Sequence, residues 1–315
     1  MFLKCLSVAV LVLTGMMSVS AKDLKVMMIG NSFSVCAGIY LPQVVNADKE
    51  NKLILTSVYI GGCPLDKHHK LLLDAEKNPE LTPYSITVWD SAKNPVKGKR
   101  YRSSLNKILQ TQQFDIITIQ QASPKSWKPE TYEPHAGELI KYIRKYQKNA
   151  EIVIQQTWAY RVDSPNLRKW KMDQNTMYNK VSDAYRKLAE SYKLRVIPMG
   201  DAVQQFRKLT PVKYKPIDTK EVFKEPALPS FAGDVVGVSL WQSKRGNKKI
   251  RYVHHDYSHL NNNGHYLQAL VWYAFLFDKP AAGVKFIPKN IFNADAALMQ
   301  KAAQNAINGY KQVAK

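Results

Sequence analysis

The chain has 315 residues, of which 45% are hydrophobic and 23% charged. That balance excludes a disordered or collagen-like chain and allows a sizeable buried core. Lys+Arg 46 against Asp+Glu 25 gives a net charge of +21, which points toward an anionic partner such as acidic polysaccharide, a membrane surface or nucleic acid. No nucleic-acid-binding motif accompanies it.

The first segment reads as an export signal. Lys4 supplies the positive start, Leu6 to Met17 a short apolar stretch, and Ser18 to Ala21 small residues at a cleavage site. Met1 to Ala21 is therefore set apart from the fold, leaving residues 22–315 as one expected domain, periplasmic or secreted. No other run is long and apolar enough for a transmembrane segment. Cys36 and Cys63 remain after processing, and an oxidising compartment would permit them to pair.

Beyond the signal, short apolar runs alternate with helical patterns. Leu24 to Ile29 reads as a strand, Val35 to Lys49 as a helix, and Leu53 to Ile60 as a strand ending in Gly61-Gly62. Tyr101 to Gln112 reads as a helix, Phe114 to Ile119 as a strand, Pro134 to Lys148 as a helix and Glu151 to Gln156 as a strand. A long helix over Asp173 to Tyr192, a strand over Leu194 to Pro198, a helix over Asn262 to Phe277 and a last helix near Asp295 to Tyr310 complete the pattern. Alternation of this kind predicts an α/β fold with a parallel sheet. A Pro-rich excursion around 208–251 interrupts it.

Ligands of parallel sheets sit beyond the carboxyl ends of the strands. Those ends carry Gly30-Asn31-Ser32, then Gly61-Gly62-Cys63, then Gln120-Gln121-Ala122-Ser123, then Thr157-Trp158; Asp256-Tyr257-Ser258-His259 comes late in the chain. A serine on a tight strand-to-helix turn exposes its hydroxyl but needs a base. His259 can serve as that base, and Asp256, three residues earlier, can fix its tautomer. Backbone N–H groups of Ser32 and of Gly61 or Gly62, with a side-chain amide from Gln121 or Gln120, are candidate oxyanion donors. Asn31, Gln120, His68 and Trp158 are candidate substrate contacts, although Trp158 and Tyr160 could equally pack in the core. Each short motif alone has a plainer explanation in turns and helix caps.

Taken together, these blocks resemble the SGNH (GDSL-type) hydrolase superfamily. Gly30-Asn31-Ser32 resembles its first block, with Asn in place of the usual Asp; Gly62 the second-block oxyanion glycine; and Asp256-x-x-His259 the fifth block. Ile29 to Phe33, Ile60 to His68, Gln120 to Ser123 and Thr157 to Tyr160 further resemble a secreted bacterial branch of unknown function. The resemblance implies a flavodoxin-like three-layer α/β/α sandwich and ester hydrolysis by Ser32, His259 and Asp256, without cofactor or metal. Many secreted relatives deacetylate carbohydrate. One departure stands out: the third block reads Gln120-Gln121-Ala122 where Gly-x-Asn is usual. The expected function is a secreted carbohydrate acetylesterase. The alternatives are a non-catalytic carbohydrate-binding protein on the same fold, or a metal-dependent hydrolase using His254, His255 and His259.

Overall fold

The computed structural model describes residues 21–218 and 221–313. The predicted export signal, Met1 to Ala21, lies outside them except for Ala21. In chain order the elements are β1 (Asp23–Gly30), α1 (Ser32–Val35), α2 (Leu41–Asp48), β2 (Lys52–Tyr59), α3 (Leu65–Lys77), β3 (Tyr84–Asp90), β4 (Asn94–Ser103), α4 (Leu105–Thr111) and β5 (Ile116–Ile119). There follow α5 (His135–Tyr146), β6 (Glu151–Gln155), α6 (Pro165–Lys169), α7 (Gln174–Tyr192), β7 (Arg195–Ile197) and α8 (Met199–Leu209). The chain closes with β8 (Val236–Lys244), β9 (Asn247–Leu260), α9 (Asn262–Phe277) and α10 (Asn293–Val313).

The main sheet has seven strands in the order β4-β3-β2-β1-β5-β6-β7. Five of them, β2 to β7 across β1, β5 and β6, run parallel. Their order reverses at β1 and β5, the switch point at which doubly wound sheets open a crevice for ligands. The parallel strands are covered on both faces and so read as apolar runs rather than alternations. Val26, Met27, Met28 and Ile29 of β1 are each at most 1% exposed. On one side α9 packs against α2, α8 and α10; on the other α3 packs against α4 and α5. The result is the expected three-layer α/β/α arrangement. Helix α9 is apolar nearly all round because it lies at the centre of its layer, and Asn261 caps it by accepting a hydrogen bond from Gly264 N at 3.1 Å.

Three expectations about elements change. The sheet is not wholly parallel: β3 and β4 add an antiparallel hairpin at one edge. The β4 sequence NPVKGKRYRS is mostly exposed, so no apolar alternation signals it. Lys and Arg along it suit an edge that must stay unpaired. The helix predicted over Tyr101 to Gln112 is therefore a strand up to Ser103, and the helix proper starts after the Ser104 cap, whose hydroxyl accepts from Lys107 N at 3.2 Å. The helix predicted over Val35 to Lys49 is broken into α1, a 3-10 turn over Cys36–Ile39, and α2. The excursion begins irregularly after α8, then forms the antiparallel hairpin β8–β9. Its second strand runs on through Asp256 and His259.

Candidate active site

Ser32 is half-buried and is the first residue of α1, immediately beyond the buried end of β1. Its N–H has no carbonyl one turn earlier to donate to, as at any helix start. The turn that presents it is held by buried amides. Asn31, 1% exposed, accepts from Phe33 N at 3.0 Å and from Gln120 Nε2 at 2.7 Å through Oδ1, and donates through Nδ2 to the Cys63 carbonyl at 3.0 Å. The Phe33 carbonyl accepts from Gln155 Nε2 at 2.7 Å and from Gln268 Nε2 at 3.0 Å. Side chains from the ends of β5 and β6 and from α9 thus fix one four-residue helix. Gln155 and Gln268 were not singled out from sequence. Their signal was an amide within an otherwise apolar strand or helix, which must be hydrogen-bonded when buried.

His259 comes from the hairpin. Val236 pairs with Leu260 and Val238 with Asp256, so Tyr257, Ser258 and His259 together oppose Gly237 alone. This three-residue bulge is permitted by Gly237, whose φ of +104° lies in the left-handed region. It redirects His259 toward β1. The Ser32 hydroxyl lies 2.7 Å from His259 Nε2, and His259 Nδ1 lies 2.6 Å from Asp256 Oδ2. Asp256 Oδ1 accepts from Ser258 N at 2.7 Å, Ser258 Oγ at 3.0 Å and His259 N at 2.9 Å. Burial alone would raise the Asp256 pKa, but the hydrogen bonds from His259 and Ser258 outweigh it and hold the carboxyl well below the usual carboxylate range. Asp256 is thus an anion beside an imidazole that faces a hydroxyl. Such a relay can remove a proton from the hydroxyl and stabilise the imidazolium that forms.

Gly61 and Gly62 are exposed at the turn after β2, and Gly62 has a φ of +61°. The Cys63 N–H closes this turn on the Ile60 carbonyl at 3.3 Å. Asn31 ties the same turn to the Ser32 helix.

Other expected site residues have different duties. Gln121 cannot supply an oxyanion donor: its Nε2 donates to Thr131 O at 3.0 Å and Oγ1 at 3.2 Å, while Oε1 accepts from Leu65 N and Ala122 N. Asn31, Gln120, His68 and Trp158 are all at most 1% exposed, so none of them contacts substrate as expected. Asn31 and Gln120 hold the Ser32 turn. His68 meets the Tyr84 hydroxyl through Nδ1 at 3.0 Å, and burial pushes its pKa down to about 3. Trp158 stacks on Phe33 with ring centroids 4.3 Å apart and donates from Nε1 to the Ser258 carbonyl at 2.8 Å. It braces the bulge through that carbonyl. Cys36 and Cys63 are both free thiols, and Cys36 Sγ donates to Gln268 Oε1 at 2.9 Å.

The three hairpin histidines do not converge. His255 Nδ1 lies 2.7 Å from Ser239 Oγ, and both ring nitrogens of His259 are engaged. Among the described residues no three His, Cys, Asp or Glu side chains group to hold a metal ion, and no helix is long and apolar enough to cross a membrane.

A family profile described as Domain of unknown function (DUF4886) matches residues 25–216, more than half of the chain. Among solved structures, a DUF4886 family protein from Bacteroides uniformis ATCC 8492 is similar at 26% identity and a TM-score of 0.70, covering 91% of this chain and 95% of that one. A proposed SGNH hydrolase from Slackia heliotrinireducens is similar at 17% identity and a TM-score of 0.46, covering 79% and 97%. A proposed GDSL-like lipase from Parabacteroides merdae ATCC 43184 is similar at 15% identity and a TM-score of 0.45, covering 84% and 98%. No curated protein matches the chain.

Proposed function

Since the chain belongs to the DUF4886 family, described as a domain of unknown function, we propose its function from the chemistry of the site: a serine ester hydrolase of the SGNH type that removes O-acetyl groups from carbohydrate outside the cytoplasm. The observation that carries the reading is the continuous relay from Ser32 through His259 to Asp256, with contacts of 2.7 and 2.6 Å.

In this mechanism the Ser32 hydroxyl attacks the ester carbonyl while His259 Nε2 takes its proton. Asp256 stabilises the resulting imidazolium. The N–H groups of Ser32 and Gly62, with Gly61 next to it, receive the oxyanion. Collapse of the tetrahedral intermediate breaks the ester bond, and His259 returns the proton to the leaving hydroxyl. A water molecule, deprotonated in turn by His259, then hydrolyses the acyl-serine and regenerates the enzyme. The base contributes about 10²–10⁴-fold, and each oxyanion donor about 3 kcal/mol.

The carbohydrate assignment is supported by the export-type segment over Met1 to Ala21 and by the exposed Gly61-Gly62 turn, which Asn31 ties to the half-buried Ser32. The charge of +21 favours an anionic glycan, whose binding should weaken as added salt screens the charges.

The test is hydrolysis of 4-nitrophenyl acetate by the chain from Lys22 onward, with Ser32→Ala and His259→Ala, followed by acetate release from acetylated polysaccharides. The wild type should turn over, and each variant should lose at least about 10³-fold in kcat. Wild-type rates in Ser32→Ala would end the proposal.

A further inference from the structure

Arg161 is fully buried, yet no step of the proposed reaction uses it. It sits in the loop after β6, beside the hairpin that delivers His259. Its backbone N–H donates to the Tyr257 carbonyl at 2.9 Å, within the bulge. Its guanidinium lies 4.9 Å from the Tyr257 ring, 4.8 Å from Tyr214 and 5.9 Å from Phe231. Nε and Nη2 donate to the two oxygens of Asp163 at 2.7 and 3.2 Å. Asp163 in turn accepts from the Tyr214 hydroxyl at 2.9 Å and the Ile217 N–H at 3.2 Å. On the hairpin's other strand, a Cβ at Gly237 would lie only 2.3 Å from Arg161 Nη1. One side chain therefore meets both strands of the bulge and the irregular segment that covers them.

Burying a guanidinium is costly, and a hydrophobic side chain of similar volume often packs as stably or better. Stability alone therefore does not account for Arg161. What a hydrophobe lacks is direction: the planar fork fixes Asp163 in two contacts while its faces stack on aromatic rings. Tyr257 is two residues before His259, and Ser258 between them is held through its carbonyl by Trp158 Nε1. A shift of the bulge would move the imidazole away from Ser32, and Arg161 is the side chain that meets both of its strands.

We propose that Arg161, locked by Asp163, is a positioning residue that sets the bulge at Tyr257–His259 and so aims the imidazole at Ser32. The proposal rests on the esterase reading for its kinetic consequence but not for its geometric one. A misplacement of about 1 Å can cost on the order of 100-fold in rate without changing substrate affinity.

The test compares Arg161→Met, Arg161→Lys and Asp163→Asn with the wild type, in the chain from Lys22 onward. The readouts are kcat and KM for 4-nitrophenyl acetate, and the low-field proton resonance of the imidazole N–H bonded to Asp256, assigned by its loss in His259→Ala. Arg161→Met is expected to stay folded by circular dichroism, lose about 100-fold in kcat with KM within about threefold, and lose the low-field resonance. Arg161→Lys keeps the charge but not the fork, and should remain at least about tenfold below wild type. A folded Arg161→Met with wild-type kcat and an intact resonance overturns the proposal. Should Arg161→Met not fold, Asp163→Asn decides: an approximately tenfold fall in kcat sustains the proposal and an unchanged kcat overturns it. If the wild type hydrolyses no ester, the esterase reading fails by itself, and loss or retention of the resonance still decides the positioning role.

Discussion

Replacing Asp256 by Asn tests the relay at its most sensitive point, because the structure determines which way the new amide must face. Asp256 Oδ1 receives three donors, Ser258 N, Ser258 Oγ and His259 N, at 2.7, 3.0 and 2.9 Å. Oδ2 receives one, His259 Nδ1 at 2.6 Å. An asparagine keeps the three bonds by placing its carbonyl oxygen at the Oδ1 position. Its NH₂ group then faces His259 Nδ1, which must become an acceptor, so the ring proton moves to Nε2. An Nε2–H cannot take a proton from Ser32. The opposite orientation restores the productive tautomer, and the Ser258 hydroxyl can turn to accept from the NH₂, but the Ser258 and His259 N–H groups are left without an acceptor at about 1.5 kcal/mol each. A gap of about 3 kcal/mol leaves on the order of one molecule in 150 productive. We therefore expect kcat to fall by at least about 100-fold and by at most the roughly 10⁴-fold known for an inverted tautomer in such triads. KM should hardly move, since Asp256 faces the imidazole and not the alcohol. The assay is steady-state hydrolysis of 4-nitrophenyl acetate alongside a circular dichroism spectrum. A folded Asp256→Asn that keeps more than a tenth of wild-type kcat would refute the reasoning.

Two further outcomes follow from buried groups. His68 is fully buried, and desolvation lowers its pKa to about 3, so between about pH 6.5 and 3 the unfolded chain binds a proton that the folded chain does not. Stability must therefore fall as pH drops through that window, by about 2 kcal/mol from this residue between pH 8 and pH 5. Urea unfolding at both pH values should show a loss smaller by about that amount in His68→Gln, and equal losses in the two proteins would refute the assignment. Trp158→Phe removes the bond to the Ser258 carbonyl and leaves unfilled volume against Phe33, which should cost about 2 kcal/mol or more of stability while KM stays constant. A raised KM with unchanged stability would instead make Trp158 a substrate contact.

Much of the site could be read from the chain because its chemistry is local. Asn31-Ser32 follows a buried strand, and Asp256-x-x-His259 places an acid within one short span of its imidazole. The parallel core strands were likewise visible, since burial on both faces forces continuous apolar runs. What the sequence could not decide was direction. Gln120, Gln121, His68 and Trp158 have side chains that could face a substrate or the interior with equal chemical sense. Only tertiary packing turns them inward, where each finds a protein partner. The β3–β4 hairpin was hidden because an exposed edge strand carries charge rather than alternation. The bulge opposite Gly237 was hidden as well, since pairing register between two strands is a property of the assembled sheet. The order of residues supplied the serine, the imidazole and the carboxylate; their contact across 227 positions of chain comes from a hairpin that the buried Arg161 holds against the sheet.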